Sequence, residues 1–151
     1  MRAVVGAAGV ALALAMCAGC APAPADDTDV RWLGFDRFVV EVQPILAEAC
    51  GNPTCHGRPE RPLAIFSPGR WRADPDRLYL DEPLTADELE HNYTLSCVFS
   101  TEAELPRDAM LVRKPLAGAA GVYHGGGAVF DDTSDRSYRA IVTWLEAGWS
   151  P

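Results

Sequence analysis

Two cysteines and a histidine packed into eight residues, Cys50-Gly51-Asn52-Pro53-Thr54-Cys55-His56-Gly57, constrain this chain more than any other stretch. Gly, Asn and Pro between the thiols favour a tight turn, so Cys50 and Cys55 cannot stray far apart. His56 follows Cys55 directly and must share its surroundings. Three ligand-type side chains on one turn imply a disulfide, a metal site or a covalently held group. The apolar pattern on either side says what such a turn is attached to.

Ahead of the turn, Phe35, Phe38, Val39, Val42, Ile45, Leu46 and Ala49 recur at three- and four-residue spacing. That spacing places one apolar stripe on a helix. Pro44 falls on the opposite face and predicts a kink or a restart at Gln43/Pro44. From Gly57 to Pro83 the chain is rich in Pro, Gly and Arg without a period, and reads as irregular loop. Thr85 and Glu88 then form a capping box, with Leu84 against Leu89 as a staple, predicting a second helix from Ala86 to about Leu95. Arg107 to Val112 reads as a short helical segment ending before Pro115. Gly118 to Gly127 is a glycine-rich loop. The last helix is capped by Ser134 or Asp135, carries Tyr138, Ile141, Val142 and Leu145 on its buried side, and ends at Gly148. Strand signals are weak throughout. The expected class is mostly α, a small helical domain with long irregular loops.

The N-terminus reads as a targeting segment. Arg2 precedes an apolar stretch, Ala3 to Met16, that suits a signal sequence and is too short to span a bilayer. It closes on Cys17-Ala18-Gly19-Cys20, small residues before a cysteine, which resembles a bacterial lipobox with Cys17 where an aliphatic residue is usual. This predicts a signal peptide over residues 1–19, acylation of Cys20, and a Pro/Ala/Asp-rich tether over 20–34 leading to a domain over 35–151. The expected place is outside the cytoplasm, anchored to a membrane and facing the periplasm or the cell surface.

Of 151 residues, 13 are Lys or Arg and 21 are Asp or Glu, a net charge of −8. Loss of residues 1–19 removes Arg2 and no acid, leaving 12 bases against 21 acids, or −9. Such a surface excludes nucleic acid, whose phosphates need Lys and Arg. It would steer a basic protein partner. Cysteines 17 and 20 lie in the leader, so the folded part has three: Cys50, Cys55 and Cys97.

The adjacency of Cys55 and His56 is that of a c-type haem attachment, where two thiols add across the haem vinyl groups and the next histidine approaches the iron. The usual spacing is two residues; here it is four, and the Gly-Asn-Pro turn can bulge outward to absorb the difference. A second axial ligand could be His124, in the glycine-rich loop, with Met110 as the alternative and His91 a further candidate. Two histidines would give a lower potential than a histidine and a methionine. A zinc site of Cys50, Cys55, His56 and Cys97, or a Cys50–Cys55 disulfide in a haem-free module, are the rival readings.

The run Val42-Gln43-Pro44-Ile45-Leu46, then Cys50, then Cys55-His56-Gly57, resembles the start of small c-type cytochromes, closest to the planctomycete-type cytochrome c domains of bacterial lipoproteins. Pro106 to Pro115 is similar to a Pro-x-x-Ser-x-Leu-Leu-x-Lys-Pro stretch of that family, with Ala109 for Ser and Val112 for the second Leu. His124-Gly125-Gly126 and the closing Trp144-Leu145-x-x-Gly148 complete the likeness, which spans roughly Phe35 to Gly148. It departs from the family at the four-residue spacing and in lacking the Met-Pro that often supplies the distal ligand. The resemblance implies one haem c, a fold in which the first and last helices cross at the haem edge, and electron exchange with redox proteins. No nucleophile–base pair is visible, so no catalytic residues are expected. Two further signals are discounted: the glycosylation pattern Asn92-Tyr93-Thr94, and the acidic run Asp81 to Glu90, read as charge favoured at a helix N-terminus.

Overall fold

The computed structural model describes residues 32–118 and 122–149. The signal peptide, Cys20 and most of the tether lie outside the described residues. Among the described residues the fold is helix-rich, with no strand and one isolated bridge between Leu116 and Phe130. No helix among them is long and apolar enough to cross a membrane.

The first helix, α1, covers residues 35–50 and alternates in winding: α at Phe35–Arg37, π at Phe38–Val42, α at Gln43–Ile45 and π at Leu46–Cys50. Phe38, Val42, Leu46 and Cys50 are its buried apolar residues, at strict four-residue spacing. At 3.6 residues per turn such a repeat drifts around the axis. The wider i→i+5 turns counter that drift and keep all four on the core side. They also ease the clash expected between the Pro44 ring and the carbonyl four residues back. Pro44 is therefore absorbed as an irregularity within a continuous helix. Phe35, expected on the stripe, is an exposed edge residue, and Gln43 is buried in its stead.

The second helix, α2, covers Ala86–Val98, one turn longer than expected, and the capping box forms in both directions between Thr85 and Glu88. The segment read as one helix from Arg107 to Val112 is split. A 3-10 turn at Pro106–Asp108 is followed by extended backbone at Ala109, and the single helical turn α3 then covers Met110–Arg113. Ala109 is fully buried, so the extended step is set by packing. The last helix, α4, covers Arg136–Gly148 with Asp135 as cap, its carboxylate accepting from Ser137 N at 2.7 Å and Tyr138 N at 3.1 Å.

Helix α4 buries Tyr138, Ile141, Trp144 and Leu145 and packs against α1. Trp144 Nε1 donates to the Gly34 carbonyl at 2.9 Å, and a Cβ on Gly148 would overlap Leu33. Leu33 is itself core, and its carbonyl accepts from the Tyr93 hydroxyl. Packing thus reaches two residues ahead of Phe35. One apolar cluster joins α1, α4, the Leu63–Ile65 segment, α3 and Phe130.

Candidate functional site

The turn from Cys50 to Gly57 is held by its own backbone. The Asn52 carbonyl accepts from Cys55 N at 2.8 Å and Gly57 N at 2.9 Å, and the Asn52 side chain accepts from Thr54 N and Oγ1 at 2.9 and 2.8 Å. His56 N then returns to the Cys50 carbonyl at 3.1 Å. Between the cysteines Asn52, Pro53 and Thr54 are exposed, while Gly51 and Gly57 are buried. A Cβ on Gly57 would overlap the Gly51 carbonyl, and one on Gly51 would overlap the Ser67 hydroxyl. The four-residue spacing is therefore a compact outward bulge closed by two glycines. Arg61 ties it down from outside, Nε to the Cys55 carbonyl at 2.8 Å and an Nη to the Thr54 carbonyl at 3.3 Å.

His56 Nδ1 lies 2.8 Å from the Leu63 carbonyl. A carbonyl only accepts, so Nδ1 carries the proton, and in the neutral ring Nε2 keeps its lone pair. Burial pushes the His56 pKa down; the Leu63 bond opposes this, while His124, Arg61 and Lys114 add to it. Neutral imidazole is the form that ligates metal. His124 is fixed in the same way, with Nδ1 2.6 Å from the Gly127 carbonyl and Gly127 N bonded back to the His124 carbonyl at 2.9 Å. The turn needs Gly127 at φ +79°, which side chains rarely adopt. The two rings are near-parallel, 12° between planes, with centres 5.9 Å apart.

Two cavities share His56, Pro62 and His124. One, about 140 Å³, is lined chiefly by apolar side chains, including Leu46, Leu63, Leu111, Phe130 and Ile141, together with Cys50 and Met110. The other, about 250 Å³, carries Cys55, Arg61, Gly125 and Gly126. Cys50 thus faces one and Cys55 the other, with both imidazoles common to both. Burial, and then the neighbouring Cys55, push the Cys50 thiol up to about 11. Met110 is half-buried and also lines an outer groove of about 740 Å³ beside the site.

Four of the residues singled out from sequence, Cys50, His56, Met110 and His124, therefore line one cavity, and Cys55 its neighbour. Cys97 does not join them. It is a fully buried free thiol inside α2, next to Tyr93 and the Leu33 carbonyl. Cys50 and Cys55 are likewise free thiols. Among the described residues no three His, Cys, Asp or Glu side chains are grouped to hold a metal ion.

His91, the further candidate ligand, lines neither cavity: its Nε2 bonds the Ala64 carbonyl at 3.1 Å, and the ring packs on Phe66 at 4.7 Å between centres. Glu88 sits in the first turn of α2, as the reading of the acidic run expects, and has a further role there. It is buried and bonded to Arg72 at 2.8 and 3.0 Å, with Ala73 N and Thr85 N donating as well. Asn92 is buried, in keeping with the discounted glycosylation pattern. Only a polar residue at every fourth position along α2 (Glu88, Asn92, Ser96) could have signalled these buried polar groups.

No family model, curated protein sequence or solved structure matches the chain. What defines its class is the fold and the site: a small helix-rich chain whose two paired imidazoles line two adjoining cavities, with Cys50 on one and Cys55 on the other.

Proposed function

We propose that this protein is a c-type cytochrome, a lipid-anchored electron carrier holding one haem through Cys50 and Cys55 with His56 and His124 as axial ligands. The observation that carries this is the pair of imidazoles, each with Nδ1–H given to a backbone carbonyl and so each with Nε2 available. Two imidazoles bound to opposite sides of one metal, each at about 2.0–2.1 Å, would have ring centres about 6.3–6.5 Å apart; the observed separation is 5.9 Å, roughly half an ångström less. A backbone carbonyl accepting the Nδ1 proton is one of the usual means of orienting a metal-bound histidine.

The residues also suit the group chemically. Each thiol would add across a vinyl double bond, sulfur bonding one carbon and hydrogen going to the other. The apolar lining from Leu46, Leu111, Phe130 and Ile141 would exclude water and lower the local dielectric. The haem would supply the one-electron couple. If His56 and His124 both held the iron, no position would be left for a substrate, which favours a carrier or an accessory haem subunit over an enzyme. The packing of α1 on α4 supports the cytochrome c-like fold implied by the resemblance.

The test is expression of the chain with a c-type maturation system, followed by a denaturing gel stained for haem peroxidase activity. A stained band at the protein's mass is expected; a colourless band with stoichiometric zinc, or with an intact Cys50–Cys55 disulfide, would replace this reading with one of its rivals.

A further inference from the structure

Two neighbouring side chains of α2, His91 and Asn92, hydrogen-bond one irregular segment, residues 63–67. Asn92 is fully buried and grips a single peptide position with both ends of its amide: Oδ1 accepts from Phe66 N at 2.9 Å, and Nδ2 donates to the Phe66 carbonyl at 2.9 Å. Nδ2 also donates to Gln43 Oε1 at 3.0 Å, which fixes the amide relative to α1. The adjacent His91 holds the Ala64 carbonyl at 3.1 Å. The far side of the segment meets the attachment turn, with Ile65 N on the His56 carbonyl at 2.8 Å and the Leu63 carbonyl on His56 Nδ1 at 2.8 Å. The segment has no secondary structure of its own, so these bonds set its position.

We propose that Asn92 is a positioning residue for the iron-bound imidazole: by pinning the Phe66 peptide to α2 it fixes the Leu63 carbonyl, and so sets the strength of the His56 Nδ1–H hydrogen bond. The proposal rests on the reading of His56 as a haem ligand. An imidazole whose Nδ1–H is firmly held by an acceptor is a more basic ligand. It stabilises the oxidised iron and lowers the potential. An amide is the one uncharged side-chain group with a donor and an acceptor side by side, which a peptide N–H and C=O require together. With Ala at this position the Phe66 N–H loses its partner, the carbonyl keeps only the longer Gln43 bond at 3.5 Å, and the segment is free to shift.

The experiment is potentiometric titration of the full-length, haem-loaded chain and its Asn92→Ala variant, with the proton resonance of His56 Nδ1–H as a second reading. Glu88→Gln is the control, because it loosens the same helix through Arg72 and Ala73 without touching residues 63–67. Asn92→Ala is expected to stay low-spin and six-coordinate, with its potential shifted upward and faster exchange of the Nδ1 proton. Glu88→Gln is expected to lower Tm and leave the potential where it was. Should Asn92→Ala fail to accumulate, His91→Ala takes its place with the same expected shift. An unmoved potential in a coloured variant, or an equal shift in Glu88→Gln, overturns the proposal alone. A colourless parent overturns the functional reading and the proposal with it.

Discussion

A carbonyl oxygen has no proton to give, and that decides the chemistry of both candidate ligands. Leu63 and Gly127 each accept from an Nδ1, so His56 and His124 can both present Nε2. His124→Ala is therefore expected to turn a six-coordinate, low-spin absorption spectrum into a five-coordinate or methionine-ligated one. Met110→Ala should leave it nearly unchanged; the reverse pattern would make Met110 the ligand, with a higher potential. Gly57→Ala places a methyl on the Gly51 carbonyl and should prevent the attachment turn from closing, seen as loss of haem incorporation while far-ultraviolet dichroism still reports helix. Cys50, Cys55, His56 and His124 were legible in the sequence because adjacency and glycine content are local signals. His91 and Asn92 were not, because their partners are backbone groups 27 and 26 residues away, and a backbone acceptor leaves no trace in residue identity.

The helices differ in how far periodicity announces them. In α4, and over most of α1, an apolar stripe is what packs, so the sequence pattern and the buried face coincide. In α2 the buried face includes Glu88, Asn92 and Ser96, and an apolar count finds nothing to align. The π turns of α1 are also hidden in residue type; their one visible trace is the strict four-residue step from Phe38 to Cys50. Glu88 carries a test at this scale. Desolvation works against its carboxylate, but hydrogen bonds from Arg72, Thr85 and Ala73 outweigh it and bring its pKa from 4.5 to about 2. A lowered folded value means stability present above the unfolded value near 4.5 and lost as pH falls from there toward about 2. At about 1.4 kcal/mol per unit this amounts to roughly 3 kcal/mol. Denaturant unfolding should show Glu88→Gln less stable than the parent by about that much at pH 7, and the gap should close as pH falls through this window. A gap independent of pH would mean that the pair contributes through shape alone.

The whole molecule is acidic, yet the formal charges that bear on His56 are the cations Arg61 and Lys114. Net charge acts at long range, and on the proposed reading it steers basic redox partners; electron exchange with such a partner should then slow as ionic strength rises. A rate that does not depend on salt would remove the steering argument. The proposed anchor belongs to this scale too: Cys20→Ser should release the protein from membranes or block its processing, and unchanged fractionation would refute the lipobox. The measurement that bears most directly on the central claim is the intact mass of the purified chain under denaturing conditions, read with its pyridine haemochrome spectrum. The account predicts a mass greater than that of the polypeptide by one haem, with the haemochrome band of two thioether bonds, moving to that of one bond in Cys50→Ser and in Cys55→Ser alike. A mass without haem, or haem lost on denaturation, would contradict it.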